Sequence, residues 1–339
     1  MARDRSERLV ADLERGFEAL EDGRIDDAAS ALERCQRIDK THDGVLELAA
    51  AVADAAGDVD EALVQYRKLV ELHPDDPAPR LCIARLELRD LDDPDAALAT
   101  LAGAFEFIDE EADLLEGILL RAEAQLVTGN LAAARESLAE LSSSVIDDPA
   151  FALDLADLAI AAEDPDAAKR WIAVAQQAPE LEADALHVLG RVHELTGDRA
   201  AMIAAWVRVR ELDLAAPAPE LTIADDVVEQ IASETFGALP DEVRKQLENV
   251  PILIEDVPSE ALVKDGVDPR LLGLFQGTPM PEGGALAPTV TTILLFPRNL
   301  AREAIDADEL ADQIRITVLH ETAHYFGLDD DDLAAIGLE

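Results

Sequence analysis

The chain has 339 residues, about half of them apolar, which suits two domains with packed cores and argues against wholesale disorder. Its formal net charge is −45, and the acidity is spread: residues 221–339 hold 7 Lys and Arg against 24 Asp and Glu, residues 1–220 hold 21 against 49. Such a surface repels phosphate, so nucleic-acid binding is set aside, and basic peptides or proteins are the electrostatically favoured partners.

The N-terminus, MARDRSERLVADLERG, alternates charge with apolar residues and lacks the continuous apolar core of a secretion signal. No apolar run approaches the roughly 18 residues of a membrane span. Cys35 and Cys82 lie in apolar helical positions, neither in a CxxC, and read as core thiols of a reducing compartment. The expectation is a soluble cytoplasmic protein without a membrane partner.

A repeat runs through residues 1–217. Ala28, Ala62, Ala97, Ala134, Ala168 and Met202 follow one another at steps of 34, 35, 37, 34 and 34 residues. Four residues after each stands a large apolar or aromatic side chain: Leu32, Tyr66, Leu101, Leu138, Ile172 and Trp206. Five residues before each stands Gly23, Gly57, Asp92, Gly129, Glu163 or Gly197. The pattern predicts six pairs of short amphipathic helices. A turn separates the helices of each pair, a small residue lets them approach, and a large one fills the gap a turn later. Each pair buries too little alone, so neighbours must stack. The period resembles the tetratricopeptide repeat, best over residues 46–77, where Ala62, Tyr66 and Pro74 fall on its pattern. The resemblance implies an all-α solenoid whose concave face holds a peptide or partner protein; the plain alternative is a scaffold. His42, His73, His187 and His193 are scattered through this array and read as surface or packing residues.

Pro217 and Pro219, in LAAPAPE, cannot sit inside a helix, and the rhythm ends there. A second domain is expected over residues 218–339. Residues 224–238 read as an amphipathic helix, followed by a helical segment, PDEVRKQLENV. Strands are expected at 251–255 (PILIE), 271–277 (LLGLFQG) and 291–296 (TTILLF). A Gly/Pro-rich loop spans 277–288. NLAREAI begins a short helix, and residues 306–327 form a long one, stopped by Gly327.

The long helix carries the chemistry. His320 and His324 are four apart, so both imidazoles leave one helix face and can reach a single metal ion. Glu321 sits one position round the helix, close to the ion without being forced into its coordination sphere, the place of a general base for water. Four aspartates, Asp329 to Asp332, follow. Gly327 permits the left-handed turn that reverses the chain, and Asp330 is the first position that can swing back beneath the histidines, with Asp331 the next candidate. Two imidazoles and one carboxylate with an open position favour zinc.

His320-Glu321-x-x-His324-x-x-Gly327-x-x-Asp330 resembles the zincin metallopeptidases with Asp as third ligand. NVPILIEDVPSE, LLGLFQGTPMPE, TILLFPRNL and RITVLHETAHYFGLDDDDL extend the resemblance to the bacterial minimal zincins over about residues 224–339. It implies a small α/β (α+β) domain with a short mixed sheet and the motif helix beneath it. It also implies His320, His324 and Asp330 as zinc ligands and Glu321 as the catalytic residue. By the same resemblance, strand 291–296 lines up substrate backbone at the sheet edge, its plain alternative being a buried core strand. No Met stands between Met280 and Glu339, so a Met-turn after the third ligand is not expected. Tyr325 points off the metal face and receives no role.

The function expected is zinc-dependent hydrolysis of peptide bonds in a peptide or protein, a basic one being favoured by charge, with the array recruiting substrate or partner. The alternatives are a protein-binding adaptor whose zinc domain is structural or silent, and an amidase acting on a small molecule. The intact Glu321, and only three protein ligands where structural zinc sites use four, favour the enzyme.

Overall fold

The computed structural model describes residues 2–141, 146–219, 221, 223–247, 250–277 and 292–328. The chain divides into two compact units, Met1–Val174 and Ala175–Glu339.

The first unit consists of paired helices: α1 (Ala2–Glu21) with α2 (Ile25–Asp39), α3 (Asp43–Ala55) with α4 (Val59–Leu72), α5 (Ala78–Arg89) with α6 (Pro94–Ala104), α7 (Glu111–Val127) with α8 (Leu131–Ala139), and α9 (Pro149–Ala161) followed by α10 (Pro165–Ala175). The repeat positions explain the pairing. Ala28, Ala62, Ala97, Ala134 and Ala168 are fully buried, and Tyr66, Leu101, Leu138 and Ile172 are buried one turn on; Leu32 is half-buried against the first core. Gly23, Gly57 and Gly129 turn the chain with φ of 70 to 74°, and Asp92 and Glu163 take the same left-handed conformation at 50 and 54°. The second helix of most pairs then opens on a side-chain cap: Asp58, Asp93, Asn130 and Asp164 each accept the amide three residues on. His42 caps α3, and His73 pairs with Asp43 at 3.0 Å.

The second unit begins with the sixth pair, α11 (Glu182–Leu195) and α12 (Arg199–Ala215). Met202 and Trp206 are buried, Gly197 has φ 74°, and Asp198 caps α12. Next come α13 (Asp225–Ala238), α14 (Asp241–Leu247), β1 (Ile252–Ile254), α15 (Glu260–Lys264), β2 (Gly273–Gln276), β3 (Thr292–Leu295), α16 (Pro297–Glu303) and α17 (Ala307–Tyr325). Helix α15, capped by Ser259, has no counterpart among the expected elements. Helix α16 starts at Pro297 rather than beyond it, because the fixed proline φ suits a first helical position.

The sheet order is β1-β3-β2, with β1 parallel and β2 antiparallel to β3. Strand β3 is therefore central, and all four of its residues are buried. Its main-chain groups are taken up by both neighbours, which corrects the expectation that this strand presents an edge to substrate. Among the described residues, the edge strand that contacts the motif helix is β2. Val228 and Ile231 of α13, Ile293 and Leu295 of β3, and Leu310, Ile314 and Val318 of α17 form the core between the helices and the sheet.

The sixth pair is fastened to the loops around this sheet. Met202 and Trp206 pack on Val263 of α15. Arg210 donates to the Pro258 carbonyl at 2.7 Å, and Arg199 donates to that of Asp265. Arg298 donates to the carbonyls of Asp213 and Ala216 at the end of α12, at 2.6 and 2.7 Å.

Candidate active site

Helix α17 delivers the motif because Asp306 caps its start and a glycine ends it. Asp306 accepts the amides of Asp308 and Glu309, each at 2.9 Å. At the other end Gly327, with φ 85°, lets the Leu328 amide return to the Ala323 carbonyl at 3.2 Å, a Schellman closure. That turn also brings the Leu328 carbonyl within 2.9 Å of His324 Nδ1. A carbonyl only accepts, so Nδ1 carries the proton and His324 Nε2 keeps its lone pair.

His324 Nε2 faces His320 Nε2 at 3.0 Å, with the two rings edge to face. Two nitrogens bound to one zinc ion at about 2.0–2.1 Å in a tetrahedral arrangement stand about 3.3 Å apart. The two imidazoles, one with its tautomer held by a main-chain carbonyl, thus fit a shared zinc ion. Asp330, the expected third ligand, lies outside the described residues, as do Asp329, Asp331 and Asp332. Among the described residues no group of three metal-ligating side chains is assembled.

Glu321 is buried, 6% exposed, between α17 and β2. Its carboxylate accepts the Phe275 amide. The geometry of β2 explains why that amide is available. Phe296 N donates to Leu272 O at 2.9 Å, so the β2–β3 hydrogen bonds fall at Leu272 and every second residue after it. Gly273 and Phe275 therefore turn their main-chain groups away from β3. Gly273 is required for this closeness: a Cβ there would stand 2.5 Å from Thr317 Cγ2 and 3.0 Å from Glu321 Cγ. Tyr325 packs edge-on against Phe275, centroids 5.9 Å apart, which leaves it on the strand side of the helix.

Gly273 and Phe275 were not singled out among the expected site residues. A glycine inside the strand-like run LLGLFQG is the one available signal, since it marks a close backbone approach.

The loop leading into β2 is held by charge. His187 Nε2 lies 2.9 Å from both Asp268 oxygens, so this histidine is a packing partner on unit 2. Burial disfavours the Asp268 carboxylate, but hydrogen bonds from His187 and the Arg270 amide outweigh it and hold the group below its ordinary range. Arg270 grips Asp213 through two hydrogen bonds of 3.0 and 3.1 Å and reaches Asp184 at 2.6 Å; Arg302 meets Asp213 at 2.7 Å. Burial likewise works against Asp213, and the hydrogen bonds from Arg302 and Arg270 hold it low.

The fold is one of helical repeats followed by a small three-stranded sheet with the motif helix packed against it. The profile of the Zincin-like metallopeptidase family matches residues 247–338, and a Tetratricopeptide repeat profile matches residues 19–86. The chain thus carries a zincin-like metallopeptidase domain and a tetratricopeptide-repeat region. Among solved structures it resembles PilW, a type IV pilus biogenesis factor (TM-score 0.52, 15% identity, 60% of this chain and 92% of that one). It also resembles PilF of Pseudomonas aeruginosa (TM-score 0.51, 18% identity, 62% of this chain and 93% of that one). At these identities the likeness concerns the fold of the repeats. No curated protein matches the chain. No helix among the described residues is long and apolar enough to cross a membrane.

Proposed function

We propose that the protein is a zinc-dependent peptidase, and that its helical repeats recruit the peptide or protein substrate or a partner. The observation that carries the reading is the triad on α17: His320 Nε2 and His324 Nε2 facing at 3.0 Å, with the Glu321 carboxylate buried beside them at a strand edge. His320 and His324 would hold the zinc, with Asp330 as the third ligand by the zincin spacing. A zinc ion, if bound there, would supply Lewis-acid polarisation of the scissile carbonyl. Glu321 takes the proton of the attacking water and passes it to the leaving amine. Its hydrogen bond to the Phe275 amide orients the carboxylate toward that task. The Gly273 amide and carbonyl and the Phe275 carbonyl, which point away from β3, pair with an extended substrate in place of the central β3.

A net charge of −45 favours a basic substrate or partner at the repeats. Cys35 and Cys82 form no disulfide, which supports a reducing, cytoplasmic setting, and the acidic charge disfavours nucleic acid as a partner.

The test is metal analysis of the purified protein followed by peptide cleavage. One zinc per chain is expected. Glu321→Gln should keep the metal and lose hydrolysis, since the amide cannot accept a proton. Absence of zinc after zinc-replete purification, or parental cleavage by the variant, would overturn the reading.

A further inference from the structure

The residues Asp268 to Leu272 lead into β2, and each of them is held. Asp268 meets His187 Nε2, and Arg270 reaches Asp184 and Asp213. The Leu272 carbonyl accepts the Phe296 amide. The remaining two, Pro269 and Leu271, are held by one side chain: Asn299 Nδ2 donates to their carbonyls at 2.9 and 2.8 Å. Both neighbours of this amide are carbonyls, so its nitrogen rather than its oxygen faces them. Asn299 lies in the first turn of α16, which follows β3 directly through Phe296. The side chain thus ties the entry of β2 to the end of β3.

We propose that Asn299 is a positioning residue for the hydrolysis. By holding the Pro269 and Leu271 carbonyls it fixes the register at which β2 passes α17, and so sets the Phe275 amide against the Glu321 carboxylate. The inference rests on the peptidase reading of His320, His324 and Glu321. Asn299 acts through β2 and needs no contact with substrate or metal.

Two observations carry it. The first is the polar balance of Asn299 itself. The residue is 2% exposed, and among the described residues its Oδ1 has no hydrogen-bond partner. A buried acceptor left unpaired costs about as much as the two donated bonds contribute, so the side chain adds little net stability. Its two hydrogens serve placement instead. The second observation is how little tolerance β2 has for a shift. Gly273 follows Leu272, and a Cβ at that position would stand 2.5 Å from Thr317 Cγ2. A slip of one residue along β3 would bring Leu272 or Leu274 to this place and turn every main-chain group to the other side. The Phe275 amide would then face β3, and Glu321 would lose the donor that orients it.

Amide hydrogen exchange followed by NMR on the full-length protein reads the placement without turnover. In the parent, the Phe275 amide and both Asn299 Nδ2 hydrogens should exchange at least 100-fold more slowly than in an open chain; open-chain rates at either overturn the proposal. Asn299→Leu removes both donors, and Asn299→Asp keeps the size while donating at most one hydrogen. In both variants the Phe275 amide should exchange at least tenfold faster, while the Ile293 amide of β3, bonded to the Pro251 carbonyl, stays as slow as in the parent. In a Glu321→Ala background Asn299→Leu should add nothing at Phe275, because the acceptor is already gone. In the zinc-loaded protein both variants should lower kcat 10- to 100-fold on a library peptide that the parent cleaves, with zinc content unchanged. A residue that only stabilises the fold would, when replaced, lower Tm and leave kcat and Phe275 exchange at parental values; that result, or unfolding of both variants, overturns the proposal. If the parent binds no zinc and cleaves no peptide, the peptidase reading fails and the catalytic role of Asn299 falls with it, while the exchange rates still show whether Asn299 places β2.

Discussion

Asp213 offers the sharpest test of how unit 2 is held. The residue is 4% exposed and sits between Arg270 and Arg302, whose side chains are 16% and 29% exposed. Asp213→Ala leaves two guanidinium groups facing each other with no carboxylate between them. Breaking a buried ion pair costs about 3–5 kcal/mol, mostly through the charge left uncompensated. Arg302 retains some access to water and Arg270 keeps Asp184, so the lower end, about 3 kcal/mol, is expected. Urea unfolding followed by Trp206 fluorescence, in a Trp171→Phe background, reads unit 2 alone, because Trp171 belongs to unit 1. Asp27→Ala, which removes an exposed partner of Arg24, is the control and should have no measurable effect. A loss below about 1 kcal/mol for Asp213→Ala would refute the reasoning, since it would mean that the guanidiniums find water or new partners on their own. The same network predicts that a fragment of residues 175–339 folds, while one beginning at residue 220 does not, having lost Asp184, His187 and Asp213.

The pH dependence follows from the same groups. Asp213 and Asp268 both have folded-state values below the ordinary carboxylate range, so their stabilisation is present above the unfolded value of about 3.9 and is lost as pH falls through the folded values. Acid titration of unit 2 should show this loss below about pH 4, and Asp213→Asn should flatten it. Gly273→Ala should push β2 off α17, given the 2.5 Å approach to Thr317 Cγ2, and cut peptide cleavage at least tenfold with zinc content unchanged. Parental cleavage would show that the strand edge takes no part. In unit 1, Glu163 holds a left-handed φ of 54° that glycine adopts without strain. Glu163→Gly should therefore stabilise unit 1 by up to about 1 kcal/mol, read as a raised Tm, and a lowered Tm would mean that its ion pair with Arg135 outweighs the relief.

The helical repeats were legible because each rests on short-range rules. A left-handed turn five residues before a buried Ala, with an Asp or Asn cap just after the turn, needs no knowledge of distant chain. Even Asp92 and Glu163, which lack the freedom of glycine, betray the turn by occupying the same place in the period. The motif helix was legible for the same reason, since His320, Glu321 and His324 are related by helical geometry alone. Strand order was not. TTILLF and LLGLFQG are both short apolar runs, and nothing local tells which lies in the middle of a sheet. That depends on which partners cover each edge, and among the described residues β3 has two and β2 one.

By itself, then, the sequence determined the local elements, the helical period and the residues that share the metal-facing side of α17. Helix geometry propagates from residue to residue, so those relations follow from spacing. Tertiary packing alone decided that Gly273 lies against Thr317 and that the Phe275 amide reaches Glu321 across 46 residues of chain. It also decided that Asp213, at the end of the last repeat, holds Arg270 and Arg302 of the zincin-like segment, 57 and 89 residues away. Such contacts are chosen by how whole helices and strands exclude water together, and no periodicity in the chain encodes them.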